Sequence, residues 1–115
     1  MNIEELQTYC KSLPGTTESV KWENDLCFCI AEKMYAVVSL SGEDCLSFKT
    51  TEEQFEVLIA SSHFESAPYL GRYKWVHTRD FKLIPDSELK AHIDSSYQLI
   101  RSKLPKAKLK KLESE

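Results

Sequence analysis

The first 66 residues contain no arginine, and the whole chain of 115 residues has only three glycines and four prolines. The arginine gap concentrates charge. Residues 1–66 carry four lysines against twelve acids, a net of −8, while residues 67–115 carry eleven Lys and Arg against six acids, a net of +5. The scarce glycines form no G-x-G-x-x-G, no G-x-S-x-G elbow and no P-loop, so no motif for dinucleotides, hydrolase-type acyl transfer or nucleotide phosphates is present. No uninterrupted apolar run approaches the ~20 residues of a membrane helix. Met1-Asn2-Ile3-Glu4-Glu5 is acidic and lacks the basic and apolar regions of an export signal, so a cytoplasmic location is expected. Paired C-x-x-C or H-x-x-H spacings are also missing. Cys27-x-Cys29 with Cys45 and a histidine offers soft metal ligands without the usual spacing, so no metal and no cofactor are expected. Cys27 and Cys29 share a strand face and bridge only with strain, so all four thiols, Cys10 included, are expected reduced and mostly buried.

What is present fits one domain over residues 1–115, of ordinary globular composition. Asn2 and Glu5 form a capping-box pattern before Ile3, Leu6, Tyr9, Cys10 and Leu13 at helical spacing, with Pro14-Gly15 as the stop. Ser19–Trp22 reads as extended, and Glu23-Asn24-Asp25 as a turn. Cys27–Ala31, Met34–Leu40 and Cys45–Lys49 read as strands whose short breaks demand antiparallel hairpins. Thr51 to Gln54 is a second capping box, opening a helix with Phe55, Leu58 and Ile59 on its apolar side. A loop follows from Ser61 to Gly71, and Arg72–Arg79 reads as a further strand. Leu89, Ile93, Tyr97, Ile100 and Leu104 mark a third helix capped by Asp86 or Ser87, and a last short helix occupies Lys106–Leu112. Strands clustered between helices indicate an α+β fold: an antiparallel sheet of four or more strands with helices packed mainly on one face.

The segment Tyr69–Arg79 interleaves cations with aromatics. As a strand it places Arg72, Lys74, Val76 and Thr78 on one face and Tyr73, Trp75, His77 and Arg79 on the other. Arg72, Lys74 and Arg79 suit phosphates, and Tyr69, Tyr73 and Trp75 suit stacking on bases. Trp75 reads equally as core, because large aromatics in small domains are usually buried. The tail lysines Lys106, Lys108, Lys110 and Lys111 form a second cationic group; a solvated terminal helix is the plainer reading. His63, His77 and His92 are isolated. His92 is expected to face solvent, and His63 to cap a turn or line a pocket. No catalytic set is recognisable.

Leu13-Pro14-Gly15-Thr16-Thr17-Glu18, Lys21-Trp22, Met34-Tyr35-Ala36, Ala67 to Val76, Ile84 to Leu89 and Ser96 to Ile100 form an ordered set. Together they resemble the MmcQ/YjbR family of small bacterial proteins over roughly residues 3–112. Glu23-Asn24-Asp25 departs from that pattern, since many relatives are Gly-rich there. The resemblance implies a fold similar to the frataxin-like CyaY proteins. It also implies a suggested DNA-binding role in which hairpins act as paired wings, with no accepted reaction, cofactor or substrate. The hairpin turns here carry Glu32-Lys33 and Glu43-Asp44, neutral and acidic, whereas wings that touch phosphate are basic.

Two functions therefore stand from the sequence. One is a non-enzymatic DNA-binding module, weak and without sequence preference because the whole chain is acidic. The other is a small-molecule- or protein-binding adaptor with a pocket near the 61–71 loop. The eleven cations of residues 67–115 decide between them. One continuous basic face favours DNA; dispersal among the N-terminal acids favours the adaptor.

Overall fold

The computed structural model describes residues 1–113. Helix α1 (Ile3–Ser12) starts at the anticipated capping box, with Asn2 Oδ1 accepting from the Glu5 N–H at 2.8 Å and the Glu5 carboxylate accepting from the Asn2 N–H at 3.1 Å. Strands β1 (Thr16–Lys21), β2 (Asp25–Ile30), β3 (Lys33–Ser39) and β4 (Leu46–Lys49) form an antiparallel meander. Helix α2 (Glu52–Ile59) begins at the Thr51–Gln54 capping box. Then come β5 (Glu65–Ser66), β6 (Trp75–Thr78), α3 (Asp86–Ser102) and α4 (Lys106–Glu113). The six strands form one sheet in the order β1-β2-β3-β4-β6-β5, every neighbouring pair antiparallel. This is the α+β architecture expected, with two more strands than the minimum.

Alternation along the strands builds the core. Phe28, Ala36, Phe48 and Val76 stand opposite one another across β2, β3, β4 and β6, and Leu26, Val38 and Leu46 form the next row. The helices cover this face, with Leu6 and Cys10 from α1 and Leu89, Ile93 and Tyr97 from α3 all buried in the same cluster. Each such side chain contributes roughly 1.5–3 kcal/mol by leaving water. Two polar groups inside find backbone partners: the Tyr97 hydroxyl donates to the Pro14 carbonyl at 2.5 Å and the Ser96 hydroxyl to the Lys49 carbonyl at 2.5 Å. Among the described residues no helix is long and apolar enough to cross a membrane.

Several expectations need correction. Arg72–Arg79 is not one strand. Gly71–Tyr73 is a 3₁₀ turn and Lys74 adopts a left-handed conformation (φ 64°), so alternation begins only at Trp75. The turn is fixed because the Gly71 N–H donates to the Ala67 carbonyl at 2.9 Å. β1 starts at Thr16 and ends before Trp22, which lies in the turn at φ 50°. Asp86 is not a cap: its carboxylate accepts from the N-terminal ammonium at 2.7 Å, and Pro85 holds the cap position. His92 does not face solvent. Its ring stacks on Phe48 (centroids 5.3 Å apart) and meets the edge of Phe64, because position 92 is three after Leu89 and four before Ser96 and so flanks the buried stripe.

Candidate functional site on the open face of the sheet

The residues that alternate with the core row point away from the helices. Across β1, β2, β3, β4, β6 and β5 they are Ser19, Cys27, Val37, Ser47, His77 and Glu65, each opposite the next. Val37, Ser47 and His77 floor a groove of about 720 Å³. Its walls come from two loops far apart in sequence. One is the β1–β2 turn, which presents Trp22, and the other is the 67–74 loop, which presents Pro68, Tyr69 and Leu70. Trp22 is 65% exposed and Tyr69 97%. Both aromatics sit on left-handed backbone, at φ 50° and 64°. For residues with a Cβ that conformation costs on the order of 1 kcal/mol each.

The wall that carries Tyr69 is built by close approach. A Cβ on Gly71 would lie 1.8 Å from Ser66 Oγ and 3.2 Å from Ser66 Cβ, so any larger residue must push the Ser66 side chain aside for the turn to close over β5. Backbone hydrogen bonds from Ala67 N–H to the Trp75 carbonyl and from Trp75 N–H to the Leu70 carbonyl tie the loop to β6.

On the floor, Ser47 Oγ and His77 Nδ1 are hydrogen-bonded at 2.8 Å. Burial lowers the His77 pKa below the ordinary histidine value of 6.5, Glu65 opposes that shift, and Arg79 adds to it. The imidazole is therefore neutral at physiological pH. Burial also raises the Cys27, Cys29 and Cys45 thiols, so they remain protonated. His77 also borders a smaller cavity of about 190 Å³ with Ser62, His63 and Glu65, so the 61–71 loop bounds both recesses that this residue lines.

Arg72, Lys74 and Arg79, singled out from the sequence, each turn to a different partner. The Arg72 guanidinium donates to its neighbour's Tyr73 hydroxyl at 2.8 Å and lies 4.8 Å from that ring centroid. Lys74 Nζ lies 4.8 Å from the centroid of Phe55 on the acidic helix α2. Arg79 pairs with Glu65 at 2.9 Å, at the other end of β6, roughly 13 Å of strand away. Lys82 pairs with Asp44 at 3.2 Å. Trp75 is 6% exposed, so its ring is core and is not offered for stacking; Tyr69 and Tyr73 are the exposed rings. Lys106, Lys108, Lys110 and Lys111 are exposed on α4, which packs inward through Leu109 and Leu112. A smaller cationic group escaped the sequence: burial lowers the Lys49 pKa, and Lys103 and Lys74 lower it further, so each of these two lies within electrostatic reach of Lys49. The spacing of 49, 74 and 103 gives no local signal for it. The groove was equally silent, because Trp22 and Tyr69 meet only once the sheet has formed.

The comparisons with known proteins agree with this architecture. The YjbR family model matches residues 11–99. The chain is 30% identical to the uncharacterized protein YjbR of Escherichia coli K12 and to that of Escherichia coli O157:H7, over 97% of this chain and 98% of each relative. Among solved structures, a Deinococcus radiodurans protein with a DUF419 domain superposes with a TM-score of 0.87 at 24% identity, covering 97% of this chain and 88% of the other. A Pseudomonas syringae protein gives 0.71 at 17% identity, covering 86% and 98%. With the family model spanning most of the chain and a relative at 30% identity matched nearly end to end, this chain belongs to the YjbR family.

Proposed function

We propose that this YjbR protein is a binding module whose ligand lies in the groove on the open face of the sheet. One observation carries the reading: two exposed aromatics, Trp22 and Tyr69, flank a recess of about 720 Å³ and are both held on left-handed backbone. That volume suits a small organic ligand. Unfavourable backbone conformations persist where surrounding structure enforces them, and they concentrate at ligand clamps. The dispersal of the downstream cations among upstream acids, as in Arg79 with Glu65 and Lys82 with Asp44, favours this reading over a phosphate-binding face. Intrinsic fluorescence tests it. The chain has two tryptophans, one exposed at the groove and one buried. A ligand in the groove changes Trp22 emission, and the response disappears in Trp22→Phe. A response that survives the substitution contradicts the proposal.

A second reading, weak DNA binding, is favoured by Lys49 with Lys74 and Lys103 in electrostatic reach of it, and by the exposed Arg72 and α4 lysines Lys106, Lys108, Lys110 and Lys111. Binding of that kind falls steeply with salt. Replacing Arg72, Lys74 and Arg79 together by alanine would weaken binding to all sequences alike, lowering the salt slope by about one for each phosphate no longer neutralised. Absence of binding to duplex or single-stranded DNA at low salt removes this reading.

A further inference from the structure

The charge carried by the residues that line the groove is one-sided. Asp25 and Glu43 line it, and no lysine or arginine does. Among the described residues neither carboxylate forms an ion pair; the paired acids are Glu18, Asp44, Glu65, Asp86 and Glu88. Lys21 stands opposite Asp25 in the β1–β2 register, outside the lining, and Arg79 is held by Glu65. His77 on the floor adds no positive charge, since burial keeps its ring neutral. The walls add an indole and a phenol, ring systems whose faces are electron-rich. Aromatic faces attract cations, and attract them more strongly where water is displaced. Aromatic walls with two unpaired carboxylates are complementary to a positive charge on a flat apolar body, and repel phosphates and carboxylates.

We infer that the groove takes a small, flat organic cation of the amidinium, guanidinium or aromatic ammonium class, its plane against Trp22 and Tyr69 and its charge toward Asp25 and Glu43. This rests on the groove being the ligand site, and it adds the sign of the ligand's charge. Lys21, across from Asp25, weakens the site.

Three probes of nearly equal shape and different charge test the inference: benzamidine, benzamide and benzoate. Each is titrated into the intact protein at neutral pH while backbone amide and indole resonances are followed by NMR. Benzamidine is expected to shift Val37, Ser47, Tyr69, Leu70 and the Trp22 indole, and to bind about five-fold more tightly than benzamide. Benzoate leaves those resonances in place. Asp25→Asn with Glu43→Gln removes the preference for benzamidine while benzamide binding persists; each single substitution lowers the preference about two-fold, which keeps the test available if the double variant fails to fold. Lys21→Gln tightens benzamidine about two-fold. Equal shifts by benzamide and benzamidine, or stronger shifts by benzoate, overturn the cation assignment and leave the groove standing as a ligand site. Shifts confined to residues outside the groove, or none from any of the three, overturn the assignment together with the groove reading.

Discussion

Two adjacent rows of the same strands have opposite fates. Phe28, Ala36, Phe48 and Val76 are at most 1% exposed and hold the helices. One residue along each strand, Cys27, Val37, Ser47 and His77 form the other face; Cys27 is itself buried, and over Val37, Ser47 and His77 a groove opens between two aromatic walls. The first row is apolar throughout. The second mixes a thiol, an isopropyl group, a hydroxyl and an imidazole. Pleating alone, with a period of two, separates the surface that stabilises the fold from the surface proposed to meet a ligand. Substitutions in the first row should therefore act on stability, and substitutions in the second on binding.

The largest effect is expected at Phe48, whose ring touches Phe64 and His92. Phe48→Ala should cost about 3–5 kcal/mol, read from the urea midpoint at unchanged slope. A loss under about 1 kcal/mol would mean the row is not the centre of the core. Next comes Gly71→Ala, which pushes a methyl group onto Ser66. We expect about 1–2 kcal/mol of destabilisation, recovered in part when Ser66→Gly is added, because the obstruction is then gone. Full additivity of the two substitutions would refute the close approach.

Smaller effects separate the faces more finely. His77 is neutral and half-buried when folded, with its pKa below 6.5. As pH falls below about 6.5, the unfolded chain takes up a proton that the folded chain resists, so this residue's contribution to stability is present above that pH and is lost progressively beneath it. His77→Gln should flatten that part of the stability–pH curve; an unchanged curve would assign the slope to another group. Smallest in stability is Trp22→Gly. Glycine relieves the left-handed conformation while losing backbone order, so stability should stay within about 1 kcal/mol of the parent while ligand binding is lost. Ala31→Gly, in the next hairpin and also at positive φ, is the control: it should leave binding intact.

Local chemistry wrote much of the fold into the sequence. Both capping boxes form with the residues that spell them, and the four-residue spacing of Leu89, Ile93 and Tyr97 marks the buried side of α3, whereas Leu104 is buried just beyond its end. The hairpins followed from breaks too short for a crossover. Features that depend on distant partners were hidden. β5 is two residues long and exists only as a pair for β6. Lys74 enters the left-handed region without being glycine or asparagine, so nothing in its neighbourhood announces that the 72–79 run is broken. His92 is half-buried against Phe48 and Phe64, which belong to a strand and a loop. For the site, Tyr69–Arg79 looked basic and aromatic, yet its cations turned to Tyr73, Phe55 and Glu65, and Tyr69 became a wall of the groove. Trp22, placed by sequence at the end of an extended run, supplied the opposite wall.

The central claim is that the open face of the sheet, rather than the basic segments, is where this protein meets its ligand. Amide shift mapping of one labelled sample tests it most directly, with a panel of small aromatic fragments in one titration series and a short DNA duplex at low salt in the other. The account expects fragment-induced shifts at Val37, Ser47, Tyr69, Leu70 and the Trp22 indole, and no comparable DNA-induced shifts. Shifts on adding duplex at Lys49, Arg72, Lys74 and Lys103, with the groove silent to every fragment, would contradict it.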